Sequence, residues 1–189
     1  MGPKTGVLFE TTGVDEKGRP IRDKTSTVYT GGIETSGEFG ERIYAEAIRY
    51  GLGRAKRVSV LGDGAVWIWN LASDKFPEAI QIVDFYHATE HLGELAKVVH
   101  AKNKTIRDLW MDTQCKELME GDVSVVIEAM RRMETDSDGA KEMIRTTIQY
   151  FATNEPRMQY AKFRQMGLFV GSGVIEAGCK TNTRFNERT

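Results

Sequence analysis

Three short segments of the chain carry acids or histidines in arrangements that could do chemistry. In the first, the apolar run Val58-Ser-Val-Leu-Gly ends on Asp63, which glycine and an aromatic helical segment follow. The C-terminal edge of a strand in an α/β fold is a common position for metal-binding and catalytic acids. The pattern predicts such a role for Asp63, and the structural alternative is a strand terminator or the N-cap of the next helix.

The second segment, Ile80-Gln-Ile-Val-Asp84-Phe-Tyr-His87-Ala-Thr-Glu90-His91, repeats the arrangement of an acid directly after a β-rich run. Asp84 is placed either to take part in a site or to cap the helix that follows. His87, Glu90 and His91 also spell H-x-x-E-H, in which two histidines one helical turn apart hold zinc and the glutamate activates water. A zinc metallopeptidase is therefore one alternative for this segment.

The third segment, Gly171-Ser-Gly-Val-Ile-Glu176-Ala-Gly, places an acid in the first turns of a helix that Ser172 can cap. An acid in that position also stabilises a helix by interacting with its dipole, which is the structural alternative. The glycines around Glu176 permit close approach of the backbone to a strand edge or to nucleic acid.

The elements that must position these residues follow from hydrophobic periodicity and turn signals. The pattern predicts an antiparallel hairpin first, then a helix, two strand-helix segments, a helical block and a final helix that carries Glu176. The predicted strands are 6–10, 26–33, 58–62 and 80–83, and the predicted helices are 39–51, 65–72, one from residue 87 onward, and most of 103–160. Gly121, the Asp136–Gly139 cluster and the Asn154–Pro156 segment are predicted turns within the helical block.

Composition and charge argue against a strongly basic DNA-binding domain, a disulfide-stabilised protein and a membrane-spanning protein. Lys and Arg (26) nearly balance Asp and Glu (27), so any affinity for DNA must come from local patches. We expect the basic clusters, including Arg54, Lys56 and Arg57, to be solvated surface. Cys115 and Cys179 form no CxxC pair, and no apolar run approaches the length of a membrane span. These features predict a cytoplasmic protein that makes no membrane contact.

Taken together, the segments Leu61–Leu71, Ile80–Leu92 and Gly167–Lys180 resemble the DDE transposases of bacterial insertion sequences. The likeness is to the ISKra-type group, which is related to Mutator-like elements, and it runs from about Gly6 to Lys180. Such transposases carry out DNA recombination by cleaving and joining transposon ends.

The resemblance implies a fold, a site and a cofactor. The implied fold class is α/β and RNase H-like, a mixed sheet with flanking helices and an all-helical insertion at about 101–166, before the final acid. Asp63 then matches the second acid of the DDE triad and Glu176 the third, both as catalytic residues and as ligands of Mg²⁺ or Mn²⁺. Two such ions drive phosphoryl transfer in this chemistry. Asp84 and His87 match an auxiliary Asp-x-x-His motif.

The chain departs from the family pattern at both ends. The first Asp of the family lies on a strand that precedes the hairpin, and Glu10, Asp15 and Asp23 are not well placed to replace it. Residues 181–189 leave the pattern and lose apolar periodicity. We therefore expect 1–180 to be a partial core, incomplete at the first strand and the last helix, followed by a divergent, frayed tail.

These departures predict a transposase fragment that is catalytically incomplete on its own. The expected partners are transposon-end DNA and either a second copy of the chain or full-length transposase. The alternative is a non-catalytic regulator that binds DNA or transposase, and the third possibility is the H-x-x-E-H zinc metallopeptidase.

Overall fold

A computed structural model describes residues 2–16 and 19–171 of the chain. The protein is a mixed α/β chain in which helices outweigh small two-stranded sheets. Its described residues divide into two compact units, the first formed by those up to Gln81 with Arg164–Phe169 and the second by Ile82–Phe163 with Val170 and Gly171. Each unit is described separately below.

The first unit opens with the predicted hairpin. Its strands are β1 (Gly2–Leu8), β2 (Thr11–Val14), β3 (Pro20–Arg22) and β4 (Val28–Glu34). β1 pairs antiparallel with β4, so that Val7 lies opposite Tyr29 and Pro3 opposite Ile33. The connection, predicted to be a turn, also contains the small β2–β3 hairpin. Sequence patterning missed these strands because β2 is exposed throughout and β3 has only three residues, with its apolar Ile21 exposed, which leaves no apolar alternation to detect.

Helix α1 (Ser36–Tyr50) follows β4 and packs against the hairpin. It begins three residues before the predicted start because Thr35 and Glu38 form a capping box that fixes the first turn. It ends where Gly51 adopts a left-handed conformation with φ of 107°. A side chain on Gly6 of β1 would come within 2.6 Å of Ile43 of α1. The absence of a side chain on Gly6 therefore lets the hairpin approach the helix closely.

Strand β5 (Ser59–Gly62), helix α2 (Val66–Lys75) and strand β6 (Ile80–Val83) form the next segment, as predicted. β5 and β6 are hydrogen-bonded neighbours, and the Ile80 N–H donates to the Val58 carbonyl oxygen at 3.0 Å. A Cβ at Gly62 would lie 2.9 Å from Cγ2 of Ile68, so glycine permits α2 to pack closely on the end of β5. This packing positions the turn that contains Asp63.

The second unit is helical, as predicted for the middle of the chain. Its helices are α3 (Phe85–Val99), α4 (Lys104–Glu120), α5 (Val123–Arg131), α6 (Asp138–Asn154) and the first residues of α7 (Tyr160–Gln165). Gly121 ends α4 with φ of 86°, and a 3₁₀ turn at Glu155–Arg157 follows α6, which confirms those two predicted turns. The core of the unit consists of fully buried side chains, among them Leu92, Leu95, Leu118, Val126, Met130, Phe151 and Tyr160.

Two predicted features lie outside the described residues. The predicted final helix with Glu176 and the divergent segment 181–189 both lie beyond residue 171. In the part of the chain that the structure describes, no helix combines the length and apolar character needed to cross a membrane.

Candidate functional site

Asp63 stands directly after β5, at the strand end where the sequence pattern predicts it. Its side chain is exposed, and its Oδ1 accepts a hydrogen bond from the Ala65 N–H at 2.9 Å. Gly64 has φ of 96°, a left-handed conformation that favours glycine. Ala65 is the N-cap of α2, so the alternative that Asp63 caps this helix is wrong. Asp63 instead stabilises the turn that joins strand to helix and presents its carboxylate at the surface.

Asp84 occupies the corresponding position after β6, but its environment is different. The residue is 8% exposed, and its Oδ1 accepts hydrogen bonds from the Tyr86 N–H at 2.8 Å and the His87 N–H at 3.4 Å. It is therefore the N-cap of α3, which is the structural alternative considered for it. An acid at this end of the helix also interacts favourably with the helix dipole, which stabilises α3.

His87, Glu90 and His91 lie on α3, and the two histidines share one helix face. Their ring centroids are 4.9 Å apart, and His91 packs on Tyr150 of α6 with centroids 4.2 Å apart. Glu90 Oε2 lies 3.3 Å from His87 Nδ1. No three His, Cys, Asp or Glu side chains among residues 2–16 and 19–171 are grouped so that they could hold a metal ion. The three-ligand site of a zinc peptidase is thus not formed by the described residues.

Tyr160 carries a buried, unusual hydroxyl group that the sequence did not point to. Its side chain is fully buried, and its hydroxyl has no hydrogen-bond partner among the described residues. Burial raises the pKa of this phenol well above its usual value, and the nearby Tyr150 and Asp84 raise it further. No sequence pattern indicated this environment, because Tyr160 is far from Asp84 in the chain. Its three-residue spacing from Phe163 is typical of an aromatic residue in a helical core.

The acids of the hairpin region serve local turns. Asp15 Oδ1 accepts a hydrogen bond from the Arg19 N–H at 2.9 Å. Asp23 accepts from the Thr25 hydroxyl at 2.7 Å and the Thr25 N–H at 2.8 Å, and these bonds lower the pKa of Asp23. Both carboxylates therefore have structural roles in the β2–β3 and β3–β4 connections.

The structure groups the predicted site residues only in part. Asp84 contacts His87 only through the backbone, because its carboxylate accepts a bond from the His87 N–H at the start of α3. Asp63 belongs to the first unit, and Glu176 lies outside the described residues. The carboxylate oxygen of Asp63 is the kind of hard donor that Mg²⁺ and Mn²⁺ accept.

Comparison of the chain with protein-family models, curated proteins and solved structures found no match.

Proposed function

We propose that this chain contains part of an RNase H-like DDE transposase core, with Asp63 and Glu176 as the acids that hold Mg²⁺ or Mn²⁺. The observation that carries the proposal is the exposed Asp63 carboxylate at the end of β5, where a left-handed Gly64 and a short turn present it. A second strand-acid-helix segment, β6 with Asp84 and α3, follows in the chain. This succession supports the α/β order that the resemblance implies.

The proposed chemistry is phosphoryl transfer on DNA. Asp63 and Glu176 would hold divalent ions, which at such a site would supply activation of the attacking water or 3′-hydroxyl and stabilisation of the leaving oxygen. The chain contributes the acid and its orientation, because the Ala65 N–H holds Asp63 Oδ1 at 2.9 Å without burying the residue. Asp84, which caps α3 at the end of β6, and His87, in the first turn of that helix, have an auxiliary role in this proposal.

We further propose that these 189 residues do not cleave or join DNA by themselves. They supply two of the three acids of the triad, and the nearest substitutes for the first acid already have structural roles. Asp15 binds the Arg19 amide and Asp23 binds Thr25, so both carboxylates are held in turns. In this proposal, catalysis by the chain requires an acid from elsewhere.

Iron-directed cleavage tests whether Asp63 and Glu176 bind the same metal site. Fe²⁺ bound in place of Mg²⁺, with ascorbate and peroxide, generates radicals that cut the backbone near the metal. We expect cuts near residue 63 and near residue 176, both suppressed by excess Mg²⁺. Mass spectrometry of the fragments identifies the cut positions.

Two variants make this experiment decisive. Asp63→Asn keeps the size and the turn-forming acceptor but removes the charge, so it should abolish both sets of cuts. Asp15→Asn alters an acid that binds Arg19 and should leave both sets unchanged. Cuts confined to the His87–His91 region, or cuts at residue 63 that persist in Asp63→Asn, contradict the proposed site.

A non-catalytic regulator that binds transposase is the second candidate. The observation that favours it is an apolar outer face on the β1–β4 hairpin, where Val7 is 41%, Tyr29 71% and Ile33 78% exposed. Apolar side chains grouped on one surface are typical of protein-interaction sites. Pull-down of purified full-length transposase by this chain, lost in Tyr29→Ser with Ile33→Ser, supports this candidate. Equal capture by both forms contradicts it.

A further inference from the structure

We propose that Arg54, Lys56, Arg57 and Arg164 form a surface that binds the phosphate backbone of duplex DNA. We call these four residues, all in the first unit and all exposed, the basic patch. The inference rests on the proposed function for the identity of the polyanion, and it adds a DNA-contacting surface that is separate from the acids of the metal site.

The side chains of the basic patch lack acidic partners, in contrast to many of the basic side chains that the structure describes. Among the described residues, the cations that form ion pairs with Asp or Glu include Arg19, Arg42, Arg49, Lys75, Lys97, Lys104, Arg107, Arg131, Lys141 and Arg145. The four residues of the basic patch form none with the acids of residues 2–16 and 19–171. An exposed cation without an acidic partner can bind phosphate without first giving up an ion pair.

The local structure concentrates this charge. The segment from Ile48 to Gly62, which leaves α1 and enters β5, contains no acid. Arg54 ends a 3₁₀ turn and lies over Gly51, since a Cβ at Gly51 would come 2.6 Å from its Nη2. Arg57 Nη1 donates to the carbonyl oxygen of Met166, which directly follows α7, the helix that contains Arg164. Residues distant in sequence therefore contribute to one positive surface.

The side chains around the basic patch favour duplex DNA over other polyanions. Residues 51–59 include no aromatic side chain, so this stretch lacks the stacking surface typical of single-strand binding. Its large apolar side chains, Leu52 and Val58, are half-buried, so it lacks the apolar face that inserts into a lipid interface. What remains is charge, which recognises the regular phosphates of a duplex without regard to base sequence.

The position of the basic patch also suits the proposed site. Arg57 and Asp63 are joined by the extended segment that contains β5. At about 3.3 Å per residue this segment spans roughly 20 Å, the axial length of about six base pairs. A duplex that runs along β5 from the patch would reach the strand end that carries Asp63.

Salt-dependent binding tests the proposal. A fluorescein-labelled 20-base-pair duplex of random sequence is titrated with the full chain in EDTA, and anisotropy gives the association constant at several KCl concentrations. Each phosphate contact contributes about −0.9 to the slope of log K against log salt. For Arg54→Gln with Lys56→Gln we expect a slope shallower by about two and binding weaker by about tenfold or more at low salt.

Arg131→Gln with Lys141→Gln is the matched control, because it removes the same charge from residues that already pair with Glu128 and Asp138. It should retain the wild-type slope, and circular dichroism verifies that both double variants fold. Equal slopes for the two double variants overturn the proposal. Tighter binding to single-stranded DNA, or to vesicles rich in phosphatidylserine, than to the duplex overturns the choice of ligand.

The metal site and the basic patch are tested separately. EDTA removes divalent ions from the binding assay. If the double variant and wild type show equal salt slopes while the iron-directed cuts occur as expected, only the basic patch is contradicted. If the salt slopes differ as expected but no iron-directed cuts occur, only the assignment of the metal ligands is contradicted.

Discussion

At the residue scale, two aspartates with the same sequence context have different environments. Each follows a short β-strand and precedes a helix, yet Asp63 is exposed whereas Asp84 is buried and caps α3. Burial makes the hydrogen bonds of Asp84 more important for stability, because an amide that loses its acceptor away from water is costly. Exposure leaves Asp63 accessible to a ligand. The environment, rather than the motif, separates a structural acid from a candidate metal ligand.

Substitution of Asp84 tests its capping role. Asp84→Ala removes the acceptor of the Tyr86 and His87 amides and should lower the free energy of unfolding by about 1–2 kcal/mol. Asp84→Asn keeps an oxygen acceptor and should cost much less, since Asn and Asp cap helices about equally well. Urea denaturation followed by circular dichroism measures both. If Asn is as damaging as Ala, the charge of Asp84 has a role beyond capping.

At the element scale, local side-chain bonds decide where the helices begin. The capping box of α1 joins the Thr35 hydroxyl to the Glu38 N–H at 3.2 Å and the Glu38 carboxylate to the Thr35 N–H at 2.8 Å. Hydrophobic periodicity placed the start at Phe39, the first buried position. Periodicity reports the buried face of a helix and not its polar first turn, so the prediction was late by three residues.

The capping box predicts a pH dependence of stability. The Thr35 N–H and hydroxyl, which bond the Glu38 carboxylate, lower the pKa of Glu38 below its ordinary value of 4.5. The carboxylate therefore stabilises the folded state above pH 4.5, and this contribution is lost as the pH falls through the lowered pKa. Wild type should be more stable than Glu38→Gln near neutral pH, and the difference should disappear in acid.

Thermal unfolding of both proteins across this pH range measures the effect. Thr35→Ala serves as a second variant, because it removes the hydroxyl that bonds the Glu38 N–H and should cost about 1 kcal/mol near neutral pH. A difference between wild type and Glu38→Gln that does not change with pH would contradict the assignment.

At the scale of the whole molecule, the balanced charge of the chain conceals an uneven distribution. The net charge is −1, yet among the described residues many basic side chains are paired with acids and the four of the basic patch are not. Composition alone excludes a strong positive field around the protein. The local surplus of positive charge depends on which basic side chains form ion pairs with acids after folding. Any DNA affinity should therefore be weak, local and sensitive to salt.

A nicking assay tests the proposal that the chain lacks one of the three acids needed for catalysis. Incubation of the full chain with a supercoiled plasmid and Mg²⁺ or Mn²⁺ should give no relaxed product above background, because in the proposed site Asp63 and Glu176 would supply only two of the three acids of the triad. Gel electrophoresis measures the products. Metal-dependent nicking that disappears in Asp63→Asn would show that the chain completes its site from its own residues.

The sequence by itself determined the succession of the larger elements and the positions of the strand-end acids. Periodicity and turn residues encode those features locally, as the α1, β5 and β6 segments and the turn at Gly121 show. Tertiary structure alone decided that Asp63 is exposed and Asp84 is buried, that Tyr160 is buried among the helices, and that Arg57 meets the turn near Arg164. Burial and ion pairing depend on residues far apart in the chain, so no local pattern encodes them.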